Sequence, residues 1–269
     1  VALITGAAQG IGKTIALRLA SDGFKIALND VDSKRNQLGG VIDEIERKYG
    51  LETCSIPGDV SKERDVQDMV EAVPQRLGSL DVVRHDKLVF STHFAPLSLS
   101  EKQWDEVLRI NTKGVFFCYK YAAKQMVAQG RPGGRIIGAS SFAGKQGLTH
   151  IGAYAALKFA VRGLTQVAAL ELGHHGITVT AYAPGTRYTD SPGFVRLERG
   201  PHNIPYLLQT ASAIDLSTTP AGKDLPSFST VGKPEDVASL VSFLASQESG
   251  YITGETYLTL SAGSIPYLH

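Results

Sequence analysis

The sequence predicts an α/β fold, a doubly wound parallel sheet of about seven strands with helices on both faces. Short β-branched or apolar runs alternate strictly with helical periods of crossover length. The first of these runs enters a glycine-rich turn and then a helix, an arrangement that presents N–H groups at a helix end. The 269 residues, 43% of them hydrophobic, suffice for one large core, so a single domain spanning residues 1–269 is expected.

The elements follow in order. Val1 to Thr5 is a β-branched run, and Gly6, Gln9, Gly10, Ile11 and Gly12 make a Gly-x3-Gly-x-Gly turn before the helical pattern KTIALRLASDG. Glycines there allow positive φ and let the backbone approach a pyrophosphate. Phe24 to Asn29 reads as a second strand ending in Asp30, close to the spacing of an acid that binds an adenosine ribose. A carboxylate ~5 Å from a 2′-phosphate costs about 3 kcal/mol at an effective dielectric of ~20, which favours NAD(H) over NADP(H). NADP(H) stays open because Lys34 and Arg35 follow, although they also read as a solvated helix face.

A helix from Ser33 to Tyr49, a strand from Leu51 to Ile56, a helix from Lys62 to Leu77 and a strand from Leu80 continue the alternation. Between them, Asp59 and Val60 fall at a strand end, where the carboxylate accepts an adenine amino group or caps the next helix. Ser100 to Gln103 has the capping-box form and starts a long helix through Phe117. Asn111 lies inside that helix and Gly114 follows, which predicts a local distortion, most simply one that holds a water. Arg135 to Ala139 is a buried strand, and Ile177 to Ala183 is another that runs into Pro184-Gly185. Residues 186–230 carry five prolines and scattered glycines and aromatics, so this irregular stretch is expected to be a substrate lid. Lys233-Pro234 opens a last helix, and Glu255 to Leu260 is the last strand.

The chemistry concentrates between Ser140 and Lys158. Tyr154 and Lys158 are spaced i, i+4 and share a helix face, with the hydroxyl of Ser141 shortly before them. A phenol of reference pKa about 10 is a poor acid at pH 7, and moving it by ~3 units takes roughly 4 kcal/mol, much of which a neighbouring ammonium supplies. Phe142, Gly147 and Ile151 flank this group as candidate substrate-pocket residues.

Charge and composition exclude other classes. Lys plus Arg number 27 against 26 Asp plus Glu, so no field attracts nucleic acid or an anionic membrane. No apolar run approaches a membrane span, Cys54 and Cys118 show no CxxC spacing, and no HExxH motif occurs. A cytoplasmic protein without a catalytic metal is expected.

Together, Thr5-Gly6-x3-Gly10-Ile11-Gly12, Asp59, Asn111, Ser141, Tyr154-x3-Lys158 and Pro184-Gly185-x3-Thr189 resemble the short-chain dehydrogenase/reductase family over essentially the whole chain. The resemblance implies a Rossmann-type fold and a site in which Tyr154 is the general acid/base and Ser141 binds the carbonyl. Lys158 lowers the phenol pKa and holds the nicotinamide ribose, while Asn111 anchors a water. Arg187 and Thr189 join the cofactor contacts, and the protein is a homo-oligomer, most simply a tetramer. The helices containing IALRLA, KFAVRGLTQ and PEDVA look most like those of acetoin/diacetyl reductases, also called 2,3-butanediol dehydrogenases.

Two features depart from the pattern. The family has Asn-Asn-Ala-Gly where this chain has His85-Asp86-Lys87-Leu88, and Arg187 replaces a usually apolar residue. The leading expectation is an NAD(H)-dependent oxidoreductase interconverting a secondary alcohol and a ketone. The alternatives are a cofactor-impaired scaffold or regulator, motivated by His85–Leu88, and an NADP(H)-linked reductase of a larger natural product, motivated by the aromatic-rich lid.

Overall fold

A run of three apolar residues with β-branched or small neighbours suits a strand buried on both faces. The computed structural model, which describes residues 1–85, 99–147, 151–185, 195–199, 205–209 and 232–259, contains seven strands in one sheet, of this kind at its centre and half-buried at its two edges. They are β1 (Ala2–Ile4), β2 (Ile26–Leu28), β3 (Thr53–Ser55), β4 (Val82–His85), β5 (Arg135–Ala139), β6 (Thr178–Pro184) and, last in the chain, β9 (Thr256–Thr259). All pairings within the sheet are parallel, in the order β3-β2-β1-β4-β5-β6-β9. The order reverses between β1 and β4, the switch point where such sheets open a crevice at their carboxyl ends.

Side-chain alternation sends the two halves of each strand to different cores. Ala2, Ile4 and Leu28 pack with Ile15 and Leu19 of helix α1 (Gly10–Ser21), Leu38 of α2 (Arg35–Tyr49) and Val241 of α7 (Pro234–Ala245). Leu3, Ala27 and Val83 face the other way, onto Val70 of α3 (Glu63–Leu77), Cys118 of α5 (Gly114–Ala128) and Val161 of α6 (Gly152–Leu172). Helices therefore cover both faces, as the alternation predicts.

The helix expected from Ser100 is broken once. Its start, α4 (Glu101–Leu108), has both hydrogen bonds of the capping box between Ser100 and Gln103. A π turn (Arg109–Lys113) then interrupts it before α5 begins at Gly114, so the distortion predicted around Asn111 is present. At the first position of α7, Pro234 occupies the place where a missing N–H costs nothing.

The irregularity expected of residues 186–230 needs a correction within the described residues. Two strands, β7 (Val195–Arg199) and β8 (Pro205–Gln209), pair antiparallel, so this part is a regular ribbon and not an irregular loop. The alternation Val-Arg-Leu-Glu-Arg carries the strand signal, which the nearby prolines obscure in the sequence. The rest of residues 186–230 lies outside the described residues.

Candidate active site

Parallel strands deliver their carboxyl ends to one edge of the sheet, and the predicted site residues collect there. Gly6 and Gly10 take positive φ, 63° and 56°, at the turn leaving β1. A Cβ at Gly12 would lie 2.1 Å from the Gly6 carbonyl oxygen, so the first turn of α1 sits against the strand end with no room for a side chain. Gln9 is the N-cap and makes no side-chain cap, so the first-turn N–H groups of Gly10, Ile11 and Gly12 belong to the open helix end. This cradle fits a dinucleotide pyrophosphate, because only glycine satisfies both the positive φ and the contact.

Asp30 closes the far side of the turn. Its Oδ1 accepts from Val31 N at 2.8 Å and its Oδ2 from Ala8 N at 3.3 Å. The Lys34 ammonium lies 3.3 Å from Gln9 Oε1, at the rim of the same turn, so it is more than a remote solvated residue. Beyond β3, Asp59 Oδ1 accepts from Ser61 N at 3.1 Å, a turn bond two residues on and not a helix cap, since the N-cap of the next helix is Lys62, while Val60 is buried.

The proton-transfer group is built on β5 and α6. Ser141 follows β5 and caps a short 3-10 turn (Phe142–Gly144), its Oγ accepting from Ala143 N at 3.2 Å. Lys158 is buried, with its Nζ 5.7 Å from the centre of the Tyr154 ring and donating to Ala139 O at 2.8 Å. Tyr154 packs in an apolar cluster with Ile151, Leu99 and Leu108. Phe142 is half-buried, Ile151 buried and Gly147 exposed. In the π turn, Asn111 is buried and donates from Nδ2 to Val107 O at 2.9 Å. Pro184 ends β6, and Gly185 N donates to Thr259 O at 3.1 Å. Arg187, Thr189 and Asp86 to Leu88 lie outside the described residues.

Several residues that position the site are not among those predicted. Ser140 Oγ donates to Lys158 O at 3.0 Å, pinning the turn after β5 to α6. A Cβ at Gly144 would lie 2.6 Å from that same carbonyl oxygen. Arg84, fully buried within β4, donates to Thr5 O at 3.1 Å and to the Tyr182 hydroxyl. His85 is buried too, with Nδ1 3.0 Å from Thr5 Oγ1, so a hydrogen bond ties β4 to β1 where the family pattern has asparagine.

A profile described as short chain dehydrogenase matches residues 1–199. A short-chain dehydrogenase/reductase of Armillaria gallica is 45% identical over 259 residues, covering 95% of this chain and 92% of that protein. The diacetyl reductase [(S)-acetoin forming] of Staphylococcus epidermidis is 36% identical and covers 96% of each. Among solved structures, a short chain dehydrogenase from Burkholderia cenocepacia in complex with NADP is 27% identical, with a TM-score of 0.79 over 98% of this chain and 97% of that one. The strand-end geometry and these similarities agree: the chain belongs to the short-chain dehydrogenase/reductase family.

Proposed function

We propose that this protein interconverts a secondary alcohol and a ketone with NAD(H), acting on an acetoin-like or diol-like substrate or another small to medium carbonyl compound, with Tyr154 as general acid/base. The observation that carries this reading is the convergence of Ser141, Tyr154 and Lys158 at the end of β5, on the sheet edge that also holds the glycine cradle. The similarity to a diacetyl reductase supports the substrate class.

A bound nicotinamide supplies or accepts the hydride. During reduction, the Tyr154 hydroxyl gives its proton to the substrate oxygen. Ser141 accepts from Ala143 N, which leaves its own O–H to donate to that oxygen. Lys158 directs one of an ammonium's three N–H donors at Ala139 O, fixing the cation beneath the Tyr154 ring, where it favours the phenolate and serves the nicotinamide ribose. Asn111, anchored on Val107 O, holds a water through which Lys158 and Tyr154 exchange protons with solvent. Arg187 and Thr189 are proposed as further cofactor contacts, and Phe142, Gly147 and Ile151 as walls of the substrate pocket.

The Asp30 carboxylate at the turn favours NAD(H). A second cofactor reading, NADP(H), draws on the Lys34 ammonium at the rim of the turn and on the NADP bound to the Burkholderia structure. We infer a homo-oligomer, most simply a tetramer, because α5 and α6 expose Phe116, Phe159 and Leu170, the last 85% accessible, and Phe243 on α7 is also exposed. No described helix is long and apolar enough to cross a membrane, and both cysteines are free, in keeping with a reducing cytosol.

Diacetyl or acetoin reduction, followed by NADH absorbance at 340 nm, tests the proposal. Tyr154→Phe is expected to lower kcat by at least about a hundredfold while NADH affinity stays within a few-fold, since the phenol acts only as charge develops on the substrate oxygen. Activity within tenfold of wild type would remove Tyr154 from the chemistry.

A further inference from the structure

The most telling contact outside the residues already assigned a role joins the π turn to the loop after β3. Arg109 occupies the first position of that turn, two residues before Asn111, and its Nη1 donates to the hydroxyl of Ser61, 48 residues away. Ser61 is only 5% exposed, so this hydroxyl is a fixed and not a solvated partner. Glu106 holds the other edge of the guanidinium, accepting from Nε at 2.9 Å and from Nη2 at 2.7 Å. A planar fork held on both edges has little freedom to wander.

Ser61 is also the residue that orients Asp59. Its backbone N–H donates to Asp59 Oδ1 at 3.1 Å, Asp59 N donates to Asp65 Oδ2 at 2.9 Å, and Lys62 N donates to Asp59 O at 2.9 Å. One residue away, a Cβ at Gly114 would lie 3.3 Å from both Val60 Cγ2 and Val60 O, so the residue following the π turn packs directly on this loop. Residues 59–61 are thus gripped from the catalytic side by Arg109 and Gly114. Asp59 also acts at a distance on the pair, its charge adding to the Glu106 hydrogen bond that raises the Arg109 pKa.

We propose that Arg109 is a positioning residue that, through Ser61, sets the Asp59 carboxylate for the adenine amino group and locks the adenine corner to the turn carrying Asn111. This rests on the reading that the chain binds a dinucleotide. Arg109 touches neither adenine nor substrate; it selects the orientation of the group that does. Lysine at this position keeps the charge and reaches Ser61 but cannot hold Glu106 with two bonds.

The test compares NADH with reduced nicotinamide hypoxanthine dinucleotide, which lacks the adenine amino group. Because both cofactors are read on the same variant, general damage cancels from the ratio of their kcat/KM values. Wild type is expected to prefer NADH by about tenfold, the worth of one hydrogen bond to a charged acceptor. Arg109→Ala should bring the preference below about threefold, as should Asp59→Asn, with no further loss in the double variant. Arg109→Lys and Glu106→Gln should fall between. A full preference in Arg109→Ala beside a lost one in Asp59→Asn would overturn the proposal. A wild type that binds neither NADH nor NADPH would instead overturn the dinucleotide reading. The Arg109 hold is then read in the cofactor-free protein, where Arg109→Ala should speed exchange of the Ser61 amide by about tenfold and unchanged exchange would overturn it.

Discussion

Two corners of the sheet edge solve the same positioning problem by different means. At the end of β5 the parts meet by close packing on glycine: Gly144 lies so close to α6 that a Cβ would sit 2.6 Å from Lys158 O, and Gly138 so close to α5 that a Cβ would sit 2.0 Å from the Tyr119 hydroxyl. At the β1–β4 corner the strands are joined through side chains, Thr5 to His85 and Arg84 to Thr5 O and Tyr182. Packing this close admits only glycine, and this is the corner that also carries Ser141, Tyr154 and Lys158 of the family pattern. Side-chain bonds admit any pair that reaches, so the second departs from the pattern and still has cross-strand partners. Tolerance to substitution should differ accordingly.

The largest effect is expected at Gly144. Its Cβ would also approach Ser140 Oγ to 2.3 Å, and neither that hydroxyl nor the helix carbonyl can withdraw without breaking the bond that pins Ser140 to Lys158. Gly144→Ala should therefore cost about 3 kcal/mol, seen as a fall of several degrees in Tm, and should depress kcat because Lys158 shifts with its carbonyl. A Tm within a degree of wild type would mean that the corner is softer than its distances imply.

Gly138 sharpens the point, since its closest neighbour is a removable side-chain atom. The Tyr119 phenol is buried, which pushes its pKa up well beyond the usual range, and it sits 2.9 Å from Thr165 Oγ1. Gly138→Ala should cost about 2 kcal/mol and Tyr119→Phe about 1 kcal/mol, whereas the double variant should be more stable than their sum by about 1 kcal/mol, because the clashing oxygen is gone. Thr165 keeps its bond to Val161 O at 2.9 Å in either background. Strict additivity in chemical denaturation would show that the hydroxyl is not what excludes a side chain at Gly138.

The same contrast explains what the sequence reveals and what it hides. The sheet is legible because its central strands are short, largely apolar runs that alternate with helical periods. The π turn is legible because Asn111 and Gly114 are poor residues for a helix interior. The capping box at Ser100 is legible because its partners are three residues apart. Contacts between distant residues are not. Arg84 and Tyr182 are 98 positions apart and meet only because β4 and β6 both flank β5, and Ser140 reaches Lys158 O only once α6 has docked. Tyr154 and Lys158 are legible as a pair, but the carbonyl of Ala139 that fixes the cation belongs to another element and carries no letter of its own.

The smallest effect is expected at the β1–β4 corner, and it decides whether His85 replaces the function of the family asparagine or merely its volume. Thr5 and His85 are both buried, so their 3.0 Å hydrogen bond is made away from water, and losing one partner removes a buried bond between the strands. His85→Leu should then cost about 1–2 kcal/mol. His85→Asn retains a side chain able to bond a hydroxyl and should cost about 1 kcal/mol less than His85→Leu. In a Thr5→Val background the difference between the two variants should vanish, because the hydroxyl they compete for is absent. Urea midpoints of the six proteins measure this directly. Equal losses for Asn and Leu with Thr5 intact would show that packing of the imidazole, and not its hydrogen bond, joins β4 to β1, and the two corners would then differ in degree and not in kind.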